Sequence, residues 1–520
     1  MSEAPPDPPQ ESGSRRSLTE LLRHALNYGA VPVIHKVLVV AMLPFYTDWL
    51  LESEYGVVAI SDFILVLLAE LLGVQLLGGM VRHYFVHEDR RDQAAVVSST
   101  ALLVMGASWG VCSLALVYRD ELAPILLARG SAEVPADHLS LLLGLTLLIL
   151  PCQLTSLVGF SYLQILKRSA LHSGVKLAKM FVELGLKIAM LGFLGWGLTG
   201  YFLSVLIGEV LTALFLTGWV LKTVGLRFDW RVLKPILAFT MPLLPVALFQ
   251  LGLHQLDRKL LERILPVGEA LTEVGIYGLG YQIGSMANAM VLAPFFTIWQ
   301  PWVFAEGDLQ QRGRLIGRVT TYAVLVVAVA SLIAILFGYE AVQLLASKEG
   351  FRQAYRVVPW VTAGYVCWAL YASAQLTFLA ARRTRPLMAI NFAALVANVA
   401  LNLALVPSFG FTGAAVATLG TFAILAFAAM AGSRELAPVP FEYGRIALVL
   451  LAVLAGGAAT IWIDENLGAP GRWHPVLVVA LKAGLGLVLI GLLGRTALSA
   501  VDRRAFTDWV KTRLRALRRG

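Results

Sequence analysis

Residues 319–338 read VTTYAVLVVAVASLIAILFG, twenty positions without a charge. At a rise of 1.5 Å per residue such a run makes a helix about 30 Å long, the thickness of a bilayer's hydrocarbon layer. A helix on the surface of a soluble protein carries one apolar stripe and one polar face. This one is apolar all round, so lipid or other apolar helices must surround it. Outward from it, similar runs recur near 28–47, 56–81, 94–118, 138–165, 171–193, 198–221, 235–257, 274–303, 316–338, 357–381, 387–406, 412–432, 444–463 and 475–494, separated by short polar punctuation. The composition agrees, because 58% of the 520 residues are hydrophobic and only 14% are charged, whereas soluble chains carry about a quarter charged residues. The fold class expected is all-α integral membrane, with about fourteen transmembrane helices.

Fourteen spans place both termini on one side. The tails and alternate loops on that side hold 28 Lys and Arg against 9 in the opposite set, so the positive-inside rule puts the termini in the cytoplasm. The net charge of +9 is thus used on topology, and no basic groove interleaved with aromatic platforms points to nucleic acid. Residues 1–17, rich in Pro, Ser and charge, read as a disordered cytoplasmic tail without a cleaved signal. Residues 496–520 read as a basic amphipathic tail, with Phe506, Trp509, Val510, Leu514 and Leu517 on one face. It either lies on the anionic inner leaflet or is a solvated anchor for the last span. Cys112, Cys152 and Cys367 sit singly in apolar runs without metal or redox spacing.

Two halves of the sequence echo each other. Glu54-Tyr55-Gly56-Val57 matches Glu273-Val274-Gly275-Ile276, Lys167-Arg168 matches Arg382-Arg383, and Gly197-Leu198-Thr199-Gly200 matches Gly410-Phe411-Thr412-Gly413. A duplicated six-span bundle is expected, with copies in the same membrane sense related by a pseudo-twofold axis along the membrane normal. The division expected is 18–222 for the first lobe (spans 1–6), 223–434 for the second (spans 7–12), and 435–495 for spans 13–14.

Charges at membrane depth cost about 2.5–3.5 kcal/mol each on insertion scales, so they face a partner or a wet cavity. In span 5, His172, Lys176, Lys179, Glu183 and Lys187 share one helical face, and the repeat puts Asn391, Asn398 and Asn402 on the equivalent face of span 11. Either each stripe packs within its lobe, Glu183 neutralising Lys179 or Lys187 and Glu209 another lysine, or the basic stripe is an anion-attracting wall. Lys36 in span 1 either pairs with Glu70 of span 2 or faces a cleft; Asp62 also lies in span 2. Span 7 ends in His254, Asp257, Arg258 and Glu262. Tyr277, Tyr281, Ser285 and Asn288 line one face of span 8 and suit either sugar contacts or interhelical hydrogen bonds. Lys482 stands alone in span 14 and receives no role.

The run from Leu43 to Gly56, Met241-Pro-Leu-Leu-Pro245 with Asp257-Arg258 and Val274-Gly-Ile-Tyr277, and Asn398 to Asn402 leading to Pro407-Ser-Phe-Gly-Phe-Thr-Gly-Ala-Ala415 together resemble the Wzx-type polysaccharide-biosynthesis flippases. These belong to the multidrug/oligosaccharidyl-lipid/polysaccharide (MOP) exporter superfamily. The resemblance implies two lobes about a central cavity lined largely by spans 1, 2, 7 and 8. It implies alternating access that carries an undecaprenyl-pyrophosphate-linked oligosaccharide across a bacterial inner membrane, with membrane lipids and polysaccharide polymerase or export machinery as partners and a monomeric chain. It also implies a lipid-tail groove near spans 13 and 14.

The substrate-binding residues expected are Lys36, Arg258, Lys176, Lys179, Lys187, His254, Tyr277, Tyr281 and Asn288. Candidates for coupling to Na+ or H+ are Asp62, Glu70, Glu183, Glu209 and Asp257; no metal or other cofactor and no catalysis are expected. No G-x-x-x-x-G-K-[ST] occurs, which excludes a P-loop in this chain. Two other readings stand beside the flippase. One is an ion-coupled small-molecule exporter of the same fold. The other is a polyprenyl-sugar glycosyltransferase or polymerase, to which the outer cluster Asp48, Glu52 and Glu54 is suited.

Overall fold

A computed structural model describes residues 34–497 apart from 287, 306–307, 382, 437–438 and 468–473. The tail expected at 1–17 and all but the first two residues of that expected at 496–520 lie outside the described residues. Among those described, every regular element is a helix. Ten helices are long and apolar enough to cross a membrane: Glu52–Tyr84, Arg90–Val117, Ala136–Ile165, Gly197–Val224, Trp230–Ile264, Gln310–Leu336, Gly350–Ala380, Thr384–Ser433, Tyr443–Asn466 and Pro475–Thr496. A chain of this construction satisfies its backbone hydrogen bonds inside its own helices, the condition for residence in lipid, and the protein is a multi-pass membrane protein.

Three differences from the hydropathy reading have local causes. The run near 28–47 starts outside the described residues and continues as helix at 34–41 and Leu43–Trp49. The run near 171–193 is the helix Ser169–Lys187 followed by the π-helical segment Ile188–Phe193; Lys176, Lys179, Glu183 and Lys187 set it apart from the apolar ten. The run near 274–303 is the helix Val267–Gly284, a π-helical segment Asn288–Leu292 and the helix Ala293–Ala305. The runs near 387–406 and 412–432 are, as expected, two helices, which meet at a break at Gly410 within Thr384–Ser433.

That interruption bears on the repeat. Gly410 has φ 52° and Gly197, its counterpart in the first half, has φ 50°, a left-handed conformation that costs an L side chain about 1–2 kcal/mol. At Gly410 the backbone N–H of Phe411 is freed from the helix, and the Glu273 carboxylate accepts it at 2.8 Å. Helix starts within the polar punctuation are also fixed chemically. Asp89, Asp229 and Asp308 each accept backbone N–H groups at the first turn of the helices beginning at 90, 230 and 309, the N-cap role for which aspartate is favoured.

The chain folds into two compact units. Among the described residues, one contains 34–42, 68–119 and 141–244; the other contains 43–67, 120–140 and 245–497. Within the first, Phe160, Leu163 and Leu216 form a buried cluster against Leu171, Val175 and Trp219. Within the second, Gly350–Ala380 is the central helix, 83% of its apolar window being enclosed. Two segments from the first half of the sequence thus pack with the second half. The helix beginning at Glu52 crosses Val267–Gly284 at Gly56 and Gly275, the repeat-matched glycines. A Cβ on Gly56 would overlap the Leu271 carbonyl, and one on Gly275 would overlap that of Glu52.

Candidate functional site

The first unit holds a cavity of about 310 Å³ whose polar lining is His35, Gln153, Ser156, Lys176, Lys179, Glu183 and Glu209. Helical periodicity puts Lys176, Lys179 and Glu183 on one face of Ser169–Lys187, and Glu209 enters from Gly197–Val224. Lys179 Nζ touches Glu209 Oε1 and stands 3.6 Å from Glu183 Oε1. Both carboxylates therefore converge on the same lysine, whereas the sequence suggested that Glu209 would neutralise a different lysine from Glu183. Gly208 makes this possible, because a Cβ there would overlap Glu183 Cγ. Lys176 Nζ lies 5.2 Å from the centre of the Phe160 ring and Lys187 Nζ 4.4 Å from that of Tyr201, both at cation–π range.

Lys36, Lys176, Lys179 and Lys187 all lie within electrostatic reach of His35. Two carboxylates accompany them, leaving cations in excess. Glu70 receives Gln75 Nε2 at 2.9 Å, and a Lys36–Glu70 ion pair is not among the contacts of the described residues.

The second unit holds a polar network without exposure to solvent. Asp257 is fully buried. Its Oδ2 accepts from Tyr277 Oη at 2.9 Å and Thr418 Oγ1 at 2.6 Å, and its Oδ1 accepts from Asn402 Nδ2 at 3.0 Å. Four helices contribute to or border this carboxylate, which no sequence spacing reveals. Asn402 Oδ1 and Asn398 Oδ1 are buried without a hydrogen-bond donor, so acceptor oxygens outnumber donors around Asp257. Asn398 donates to Thr421 Oγ1 at 3.2 Å and Asn391 to Tyr371 Oη at 2.9 Å. The asparagine stripe of Thr384–Ser433 is thus packed inside its own unit.

Tyr281 Oη meets Tyr365 Oη at 3.0 Å and His254 Nδ1 at 3.4 Å, and the His254 ring is enclosed by Tyr365, Trp368 and Phe422. Arg258 lies over Tyr281 at 4.8 Å and Tyr277 at 5.9 Å. The tyrosine stripe therefore makes interhelical contacts here. Asp62 is exposed on the helix beginning at Glu52. Glu262 is buried and takes Arg129 at 3.1 Å, Lys259 at 2.8 Å and Arg263 at 3.5 Å. The side chain of Asn288 lies outside the described residues.

One charged cluster escaped the sequence reading. Lys482 has no exposed surface and ion-pairs with Asp464 at 2.5 Å and Glu340 at 2.7 Å, so it is neither alone nor snorkelling. Glu340 precedes it by 142 positions, far beyond any helical periodicity.

No protein-family model matches the sequence, and no curated protein matches it. Solved structures do. The lipid II flippase MurJ in an inward closed conformation is similar with a TM-score of 0.68 at 10% identity, over 91% of this chain and 98% of MurJ. A multidrug resistance MATE family transporter of the MOP superfamily, inward-facing, is similar with a TM-score of 0.63 at 15% identity, over 81% of this chain and 98% of that one. MATE in complex with MaL6 is similar with a TM-score of 0.57 at 14% identity, over 82% and 95% respectively. Shared at such identities is the fold. This chain shares its all-helical membrane fold with these proteins over 81–91% of its length.

Proposed function

We propose that the protein is a Wzx-type flippase that carries an undecaprenyl-pyrophosphate-linked oligosaccharide across the bacterial inner membrane by alternating access, its fourteen spans arranged as two six-span lobes plus spans 13–14 and both termini cytoplasmic. The observation that carries this reading is the gathering of Lys36, Lys176, Lys179 and Lys187 around His35 beside a 310 Å³ cavity whose carboxylates are Glu183 and Glu209. An excess of cations in a low-dielectric site repels other cations and attracts a diphosphate, while a polyprenyl tail needs only lipid. The likeness to MurJ supports the same substrate class. Arg258, with His254, Tyr277 and Tyr281, is the second group through which the headgroup would be recognised. In this scheme Asp257 is a carboxylate that couples Na+, because unfilled acceptor oxygens around a buried carboxylate fit a cation.

The test is translocation in proteoliposomes of a fluorescent undecaprenyl-pyrophosphate oligosaccharide, read by a membrane-impermeant quencher. Wild-type protein should accelerate it. Lys36→Ala, Lys176→Ala and Arg258→Ala should each slow it about ten- to a hundredfold, since a hydrogen bond to a charged partner is worth about 1.5–3 kcal/mol. Asp257→Asn should remove any dependence on a Na+ gradient. Unchanged rates in all three cation variants would remove the lysine cavity from the mechanism. The likeness to MATE transporters favours a second reading, an ion-coupled small-molecule exporter, and export of organic cations in place of the lipid by the same vesicles would establish it.

A further inference from the structure

Lys179 is bound twice over by acid. It touches Glu209 and stands 3.6 Å from Glu183, and these three side chains line the cavity together. Glu209 is 3% exposed, and its Oε2, like Glu183 Oε1, has no hydrogen-bond donor. Titratable groups of several helices face this trio. Lys187 acts on Glu183 from the same helix, Lys179 on Lys176, and Lys176 in turn on His172. Cys152 of Ala136–Ile165 faces Glu209, and His35 and Lys36 complete the circle from the 34–41 helix.

An anion entering this cavity competes with the two glutamates for Lys179. Once Lys179 turns to the anion, a buried carboxylate loses the cation that it touches. An uncompensated buried charge costs several kcal/mol, which a carboxylate avoids by taking up a proton. The other lysines do not substitute for Lys179 in this respect, because the anion engages them as well. We propose that this cavity binds its diphosphate together with one proton, Lys179 exchanging its carboxylate partners for the phosphate oxygens while Glu209 or Glu183 accepts the proton from water. Release of the anion reverses the exchange: Lys179 returns, the acid ionises, and the proton leaves. This linkage rests on the anion-carrier reading above, and adds that proton and substrate occupy the same site and travel together.

The sign follows from the bound state holding more protons than the free state. Affinity is highest at low pH and falls as pH rises, by about tenfold per pH unit for one proton. The probe is a nucleotide sugar, whose disubstituted diphosphate keeps its charge through the neutral range. Its binding to the full-length protein in nanodiscs is measured by calorimetry between about pH 6 and about pH 8, in two buffers of different ionisation enthalpy, so that proton uptake is counted directly on the wild-type protein. The expected result is uptake approaching one proton per diphosphate, and binding independent of pH in Glu183→Gln/Glu209→Gln. Binding without proton uptake would overturn the linkage and leave the anion cavity standing. Proton uptake that persists in the double variant would assign the proton to His35 or a lysine and overturn it also. Absence of binding at every pH would remove the anion-carrier reading itself, and the linkage with it.

Discussion

Lys482→Met should lower the apparent melting temperature more than any other single substitution in the last two spans. Lys482, on the helix Pro475–Ala497, has no solvent exposure, and its ammonium is shared by Asp464 at 2.5 Å and Glu340 at 2.7 Å, with the Tyr339 ring 5.4 Å away. Removing one partner of a buried ion pair costs about 3–5 kcal/mol, because the surviving charge has neither water nor a counter-ion. Here two carboxylates would be left facing each other. Methionine matches the lysine stem in volume, so the loss reports charge and not a cavity. Neutralising the acids as well, in Lys482→Met/Asp464→Asn/Glu340→Gln, should recover most of it. A single variant that melts with the wild type would mean that the cluster contributes nothing to docking the last two spans.

Gly275→Val should open the crossing between Val267–Gly284 and the helix that begins at Glu52. The Cβ of any residue at 275 would overlap the Glu52 carbonyl and stand 3.1 Å from the Gly56 nitrogen. The obstacle is backbone, which cannot rotate aside as a side chain would, so the helices must separate. Overpacking costs about 1–3 kcal/mol where side chains can adjust, and this position lies at or above the upper end. Gly218→Val is the control, for nothing lies within 4 Å of a Cβ there. Hydrogen exchange should quicken in peptides covering 52–56 and 271–275 in the first variant and remain unchanged in the second. Because residues 43–67 come from the first half of the sequence but pack with the second, this crossing must loosen if the halves are to rearrange. Unaltered exchange and melting in Gly275→Val would show that the crossing is not tightly held.

What the sequence made readable was periodic or local. Uncharged runs near the length of a bilayer core placed most spans. The basic face of Ser169–Lys187 and the asparagine face of Thr384–Ser433 were legible because residues three and four apart share a side. Partners across helices were not. Both Glu183 and Glu209 settle on Lys179 because Gly208 lets two helices approach closely, a tertiary fact. Asp257 collects Tyr277, Asn402 and Thr418 from positions up to 161 residues away, and Lys482 finds Glu340 across 142. At Gly410 sequence and backbone agree, the φ of 52° falling between the spans expected at 387–406 and 412–432. The grouping of 43–67 and 120–140 with the second half has no signature in composition, since apolar helices offer many equivalent apolar partners.

A photoactivatable undecaprenyl-pyrophosphate sugar, cross-linked to the full-length protein in nanodiscs and mapped by mass spectrometry, examines the lysine cavity as the diphosphate site without relying on any variant. Adducts should fall on residues that line or flank the cavity, within 153–160, 176–183 or at 209, and unlabelled lipid-linked diphosphate should suppress them while a neutral lipid-linked sugar does not. Labelling confined to other parts of the chain, or suppressed equally by the neutral lipid, would contradict a diphosphate held among Lys36, Lys176, Lys179 and Lys187.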